Sequence, residues 1–140
     1  MILLDTNVVS EVMRSRPAAA VLDWLNDADT ARLYLSTITI AEIVYGILSL
    51  PNGRRREGLL GRFEGFVENG FASRVIEFDV PAAYRYGELM ARRRALGRPM
   101  SLPDGQIAAI ASTRRFAIAT RDVGGFDGIG LELINPWAHR

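Results

Sequence analysis

The chain opens Met1-Ile2-Leu3-Leu4-Asp5-Thr6-Asn7, with three large apolar residues running straight into an acid, a hydroxyl and an amide. An apolar run this short predicts a buried strand. In an open parallel sheet, ligands collect just beyond the carboxyl ends of the strands, and Asp5 stands at such an end. The simpler role for Asp5 or Thr6 is to cap the helix that starts there, accepting hydrogen bonds from its free amides. The choice between the two roles turns on whether other carboxylates reach the same edge.

The same alternation of short apolar strand and helix continues along the chain. A first helix is expected from Thr6 to about Arg14. Pro17 opens a second, with Ala18, Val21, Leu22 and Leu25 at helical spacing. Leu33-Tyr34-Leu35 reads as a second strand. Thr39 starts a helix whose apolar stripe is Ile40, Ile43, Val44, Ile47 and Leu48, and Pro51-Asn52-Gly53 stops it. Arg54 to about Asn69 is amphipathic, with Leu59, Leu60, Phe63, Phe66 and Val67 inward and Gly70 as the stop. A weaker strand is expected within Arg74 to Phe78. Asp79-Val80-Pro81 then opens a helix with Ala82, Tyr86, Leu89, Met90 and Leu96 inward, ending at Gly97. Ser101-Leu102-Pro103-Asp104 opens another. Ala117 to Thr120 is a fourth strand, Val123-Gly124-Gly125 a loop, and Leu131 to Ile134 a last extended segment. No repeat, linker or low-complexity tract interrupts the pattern. It predicts a single α/β domain over residues 1–140, built on a parallel sheet.

Composition removes several classes of function. Hydrophobic content of 49% and charged content of 24% are those of a soluble globular chain. No apolar stretch approaches the roughly 20 residues that span a bilayer, so no membrane partner is expected. The start has no basic leader region. With no cysteine there is neither a disulfide framework nor a thiolate metal site, and a cytoplasmic location is the expectation. The lone histidine, His139, lies one residue from the end, where disorder is a simpler expectation than catalysis. Trp137 reads as a packing residue.

Net charge is only +1, and every basic residue is arginine. Between positions 92 and 121 the arginines Arg92, Arg93, Arg94, Arg98, Arg114, Arg115 and Arg121 face one acid, Asp104. Arg54-Arg55-Arg56 forms a second cluster. Guanidinium groups pair with phosphate and stack on bases, so Arg92, Arg93 and Arg121 are candidates for nucleic-acid contact. A solvated helix face is the plainer account of such runs.

Four acids carry the chemical interest. Asp5 and Asp122 follow strands, whereas Glu42 and Asp104 stand in first helical turns. Glu42 lies about 200° round from Ile40 at ~100° per residue, off the apolar stripe. Thr39-Ile40-Ala41-Glu42 is also a capping-box pattern. Asp104 heads the stripe continued by Ile107, Ala108 and Ala111, a costly place for a charge unless it is paired or ligates a cation. Its alternative role is a first-turn acid favoured by the helix dipole. Asp122 before glycines has the form of a turn aspartate. If all four meet at one sheet edge, they need a counter-charge. Magnesium or manganese, with hard oxygen ligands, is the natural one. Such a site suits in-line hydrolysis of a phosphodiester, with Thr6, Asn7 and Thr120 supporting the ligands or their water.

Four ordered segments, Met1–Asn7, Ser36–Glu42, Asp104–Ala109 and Ala119–Asp122, resemble the landmarks of a PIN domain. More narrowly, the chain resembles VapC-type toxins of bacterial toxin–antitoxin pairs, in the branch that includes FitB, and the closing Asn135-Pro136-Trp137 fits that branch. The likeness covers essentially the whole chain. It implies an α/β/α sandwich with a central parallel sheet of four to five strands, and a Mg²⁺- or Mn²⁺-dependent endoribonuclease. The family's catalytic and metal-binding acids fall on Asp5, Glu42, Asp104 and Asp122, and its hydroxyl on Thr120. Asp127 matches poorly and is held peripheral. The implied partners are an RNA substrate, a VapB-like antitoxin that inhibits the toxin, and a second copy in a homodimer, giving a heterotetramer or larger assembly. Operator DNA would be reached only through the antitoxin.

A catalytically silent binding module of the same fold is the alternative, although a scaffold has no reason to gather four acids. A phosphatase using Asp5 as nucleophile would want a second acid at position 7, which is Asn. A dinucleotide site would want Gly-x-Gly-x-x-Gly after the first strand, and none is there.

Overall fold

The computed structural model describes all 140 residues. Five short strands, β1 (Ile2–Leu4), β2 (Leu33–Ser36), β3 (Val75–Ile76), β4 (Ala117–Ala119) and β5 (Leu133–Ile134), form one parallel sheet in the order β3-β2-β1-β4-β5. Helices α1 (Thr6–Val12) and α2 (Ala19–Asp27) connect β1 to β2, and α3 (Thr37–Leu48) and α4 (Arg54–Phe71) connect β2 to β3. Helices α5 (Val80–Ala95) and α6 (Leu102–Arg114) then carry the chain back past β1 to β4, and the short α7 (Val123–Phe126) leads toward β5. The strand order therefore reverses between β1 and β4. In open α/β sheets that reversal opens a crevice at the carboxyl ends of the strands.

Period-two alternation splits the core between the two faces of the sheet. Leu3, Ile76 and Ile118 face α5, α6 and Phe126 of α7, whereas Leu4, Leu33, Leu35 and Ala119 face the layer of α1 to α4. Both faces are covered, which is why β1 and β4 are apolar at every position. The middle of α6, Ile107 to Ala111, is fully buried. Gly105 lets α5 and α6 approach: a Cβ there would fall 2.5 Å from the Met90 sulfur and 3.0 Å from the Tyr86 ring.

Several local expectations are corrected. Helix α3 begins at Thr37, not Thr39, because the Ser36 hydroxyl accepts from the Thr39 amide at 3.1 Å and is the cap. Helix α4 runs through Gly70 to Phe71. Leu96 is 59% exposed, and Arg93 takes the inward place near the end of α5. The Val123-Gly124-Gly125 segment is helical, not a loop. His139 is not loose: its Nε2 lies 2.8 Å from Asp27 Oδ2 on α2. Trp137 does pack, against the α1–α4 layer.

One buried acid is structural. Glu11, 7% exposed, accepts from the Ala18 amide at 2.8 Å and pairs with Arg14 at 3.4 Å, pinning the α1–α2 turn. Glu11→Ala leaves that amide without its acceptor. The expected loss is about 2 kcal/mol, read from a urea unfolding curve, with the acid cluster described below unaffected.

Candidate functional site

The reversal point of the sheet collects the acids. Asp5 follows β1 and caps α1, its Oδ1 accepting from the Thr6 amide at 2.8 Å. Its other oxygen accepts from the Thr120 hydroxyl at 2.8 Å, directly beyond β4. Thr120 also receives the Asp122 amide at 3.0 Å and the Asn7 side-chain amide at 3.3 Å. Asn7 accepts in turn from the Arg121 amide at 3.3 Å. Two neighbouring strand ends are thus laced together through one fully buried threonine.

Glu42 joins from α3. The Thr6 hydroxyl donates to Glu42 Oε1 at 2.6 Å, so the capping-box role expected for Glu42 is not the one it plays. Behind it, Thr6, Thr39 and Ser36 form a chain of hydroxyls at 3.1 and 3.4 Å. Ser36 and Thr39 are completely buried, a role that the local pattern of a helix start does not reveal. Thr39 at i−3 from Glu42, on the same side of its helix, was the available signal.

Asp104 arrives from the first turn of α6, its own amide donating to the Ser101 hydroxyl at 3.3 Å. It is half-buried, in line with its place at the head of the apolar stripe. Asp122 is exposed and caps α7, its Oδ1 accepting from the Gly125 amide at 3.0 Å.

Electrostatics join the four. Burial pushes the Asp5 carboxyl from 3.8 up to about 6; the Thr120 and Thr6 hydrogen bonds oppose this, and the charges of Asp104 and Glu42 add to it. Asp104 is also raised, first by burial and then by Asp122 and Glu42, with the Ser101 hydrogen bond and Arg93 pulling the other way. Asp5 and Asp104 each feel two other acids of the set, so the group carries concentrated negative charge that a cation would relieve.

No three of the acids close around one point as a ready-made cage. The donors are nonetheless all hard oxygens, and the one histidine is paired with Asp27. Magnesium takes only one or two carboxylates directly and keeps several waters. A loose set of carboxylates and hydroxyls fits such an ion, held partly through water.

The arginines divide. Arg93, 3% exposed, is hydrogen-bonded to three backbone carbonyls, so it is not free to contact RNA as its place in the Arg92–Arg94 run suggests. Arg92 lines a separate depression with Arg85, Arg115 and Ala117, beside the start of β4 and not at its acidic end. Arg121 does flank the site, with its guanidinium 5.2 Å above the Trp137 ring. A groove of about 640 Å³ also leads away from Thr6 and Glu42. Its walls carry Arg55, from the second arginine cluster, with Arg14 and Arg62, which had not stood out in the sequence, above an apolar floor of Ile43, Ile47 and Leu59. The signal for Arg62 was the spacing Arg55, Leu59, Arg62, one face of α4.

The PIN domain family pattern matches residues 2–130. The chain is similar to the plasmid stability protein StbB of Pseudomonas syringae pv. tomato, at 47% identity over 98% of this chain and 99% of the relative. It is 44% identical to VapC ribonuclease Y4jK of Sinorhizobium fredii, over 98% of both chains. Toxin FitB of Neisseria gonorrhoeae is 39% identical over 98% of this chain and 99% of its own. Among solved structures, that of FitAB bound to an IR36 DNA fragment superposes with a TM-score of 0.93 at 38% identity, covering 100% of this chain and 98% of that one.

Proposed function

Because this chain belongs to the PIN-domain family, we propose that it is the toxin of a type II toxin–antitoxin pair, an endoribonuclease that hydrolyses RNA phosphodiester bonds. PIN-domain nucleases generally depend on a divalent metal, and here Mg²⁺ or Mn²⁺ is the ion the donors suit. The observation that carries this reading is the meeting of Asp5, Glu42, Asp104 and Asp122 at the sheet's reversal point, where Asp104 and Glu42 add to the burial that raises Asp5, and Asp122 and Glu42 add to the burial that raises Asp104.

In this reading the four acids are the catalytic and metal-binding set. When bound, the cation supplies an activated water for in-line attack on phosphorus and offsets charge on the phosphate oxygens. Asp5 and Asp104 are the more enclosed ligands, Asp5 aimed by Thr120 and Thr6. Glu42, aimed by Thr6, approaches from the α1–α4 layer, opposite that of Asp104. Asn7 and Thr120 keep β1 and β4 in register, so that the acids at their ends hold their separation.

The RNA runs from the acids into the groove beside α4, with its phosphates against Arg14, Arg55 and Arg62 and with Arg121 on the other flank. Arg62→Ala, far from the chemistry, is expected to raise KM with little change in kcat. It should also shallow the dependence of log Kd on log salt by about 0.7, the share of one single-strand phosphate contact. Binding of a short RNA measured at several salt concentrations checks both.

Inhibition comes from a VapB- or FitA-like antitoxin on the same acidic edge, and operator DNA is reached through that partner. The toxin pairs with a second copy, within a heterotetramer or larger assembly. Tyr45 and Tyr84, 77% and 74% exposed, are aromatic surface that such an assembly would cover. An RNA substrate sets the site of action in the cytoplasm. No helix is long and apolar enough to cross a membrane.

Two assays test the proposal. Antitoxin-free protein should cleave RNA with Mg²⁺ or Mn²⁺ and stop in EDTA. Expression should arrest growth, and Asp104→Asn should relieve the arrest while antitoxin binding survives. Cleavage indifferent to EDTA would overturn the metal-dependent reading, and arrest that persists in Asp104→Asn would overturn it in favour of a non-catalytic binding module.

A further inference from the structure

We propose that Arg93 is a positioning residue that, acting through Gly125, sets the orientation of the Asp122 carboxylate. This rests on the reading of Asp122 as part of the acidic set. Arg92 and Arg94 on either side are solvated, but Arg93 is 3% exposed. A buried charge persists only where it is fully paired. Arg93 has no carboxylate partner within ion-pair distance; its guanidinium is satisfied by carbonyl dipoles instead. Nε donates to the Arg98 carbonyl at 2.6 Å, and Nη1 donates to the carbonyls of Gly125 at 3.0 Å and Asp127 at 2.6 Å.

Gly125 is the joint of this arrangement. Its carbonyl accepts from Arg93, and its amide donates to Asp122 Oδ1 at 3.0 Å. One residue therefore links the guanidinium to the acid. A second observation points the same way: a Cβ at Gly125 would stand 2.4 Å from Asp122 Oδ2 and 2.8 Å from its Cγ. The carboxylate lies flat against the glycine, in a place that only glycine leaves open. Arg98 reinforces the segment from outside, with Nη1 3.2 Å from Asp127 Oδ2 and Nη2 3.3 Å from the Gly124 carbonyl. This gives Asp127 a place in the support of the site without making it a member.

Asp122 needs such support. Asp5, Glu42 and Asp104 each stand on, or directly before, a helix packed against the sheet, whereas Asp122 sits in an exposed loop before a helix only four residues long. Partners that orient a metal ligand from outside its first ring commonly govern affinity by about 10–100-fold.

The test uses the full chain without antitoxin. Two readouts are taken: the exchange rate of the Gly125 amide with the carboxyl carbon shift of Asp122 by NMR, and Mn²⁺ affinity by calorimetry. In Arg93→Lys, which keeps the charge but loses the planar fork, the Gly125 amide should exchange at least about tenfold faster and the Asp122 signal should move. Mn²⁺ affinity should fall about tenfold or more. Gly125→Ala, which leaves Arg93 intact, should move the same Asp122 signal, and the double variant should lose no more Mn²⁺ affinity than the worse single one. Arg98→Ala, which cuts only exposed contacts, should lose less. Unchanged Gly125 exchange and an unmoved Asp122 signal in Arg93→Lys would overturn the proposal, as would additive losses in the double variant. Should the NMR changes appear in Arg93→Lys while the wild type binds no Mn²⁺, the relay stands and the metal-nuclease reading falls.

Discussion

Asp5→Asn is expected to lower metal-dependent RNA cleavage by at least about a hundredfold and, in the metal-free protein at pH 7, to raise stability by about 1–3 kcal/mol. The two effects have one cause. Asp5 is 4% exposed, and burial beside Asp104 and Glu42 lifts its carboxyl from 3.8 to about 6. At pH 7 it is nevertheless ionised, so without a cation the native state carries a buried charge that the unfolded chain holds in water. At ~1.4 kcal/mol per pK unit, that lift amounts to about 3 kcal/mol. Asparagine removes the charge and keeps most of the shape, but loses the carboxylate that the proposed metal site calls for. Between the unfolded value near 3.8 and the native value near 6, the native state binds more protons than the unfolded state. The stability of the metal-free wild type should therefore decline as pH rises through that window, and Asp5→Asn should flatten the decline. Thermal melts in EDTA from pH 4 to pH 7.5 check the stability half. A gel-based cleavage assay with Mn²⁺ checks the other.

Thr120→Val is expected to be damaging in both respects, although it conserves volume. Its hydroxyl is the only atom that donates to Asp5 Oδ2, and it receives the Asp122 and Asn7 amides. A methyl group leaves those donors unsatisfied, at about 1–3 kcal/mol for each one that water cannot reach. The lost hydrogen bond was also pulling the Asp5 carboxyl down against burial. Its removal raises that carboxyl further, so the acid limb of the kcat/KM profile should move to higher pH. Cleavage at neutral pH should fall by about 10–100-fold. A profile that drops in height with its acid limb unmoved would mean that Thr120 holds the strands and does not tune Asp5. Thr120→Ser, which restores the hydroxyl, should recover most of the activity.

The parts of this site visible in the residue order are those where local pattern and tertiary role coincide. Ile2-Leu3-Leu4 had to be a buried strand, and an acid at its end had to lie at the sheet's carboxyl edge. Asp104 was marked by its direction, at the head of a stripe that continues through Ile107 and Ala111 into the core. Glu42 was harder, because both Ser36 and Thr39 are good caps. The choice between them depends on where β2 ends, and that is decided by pairing with β1 and β3. Arg93 was hidden by its neighbours. In a run of three arginines, composition suggests a solvated face, yet Ala82, Tyr86, Leu89 and Arg93 follow one helical stripe whose next apolar position, Leu96, lies outside α5. The short helix after Asp122 was obscured by two glycines. It forms because the aspartate caps it and Arg93 and Arg98 hold its carbonyls, contacts that arrive from about 30 residues away.

Convergence of the acids on one cation is tested most directly by titrating Mn²⁺ into antitoxin-free protein by calorimetry near pH 6, in buffers of different ionisation enthalpy. The expected result is binding that releases protons, because Asp5 is about half protonated at that pH before the ion arrives, with the binding abolished or greatly weakened in both Asp5→Asn and Asp104→Asn. Absence of Mn²⁺ binding, or binding of undiminished affinity in those two variants, would contradict it.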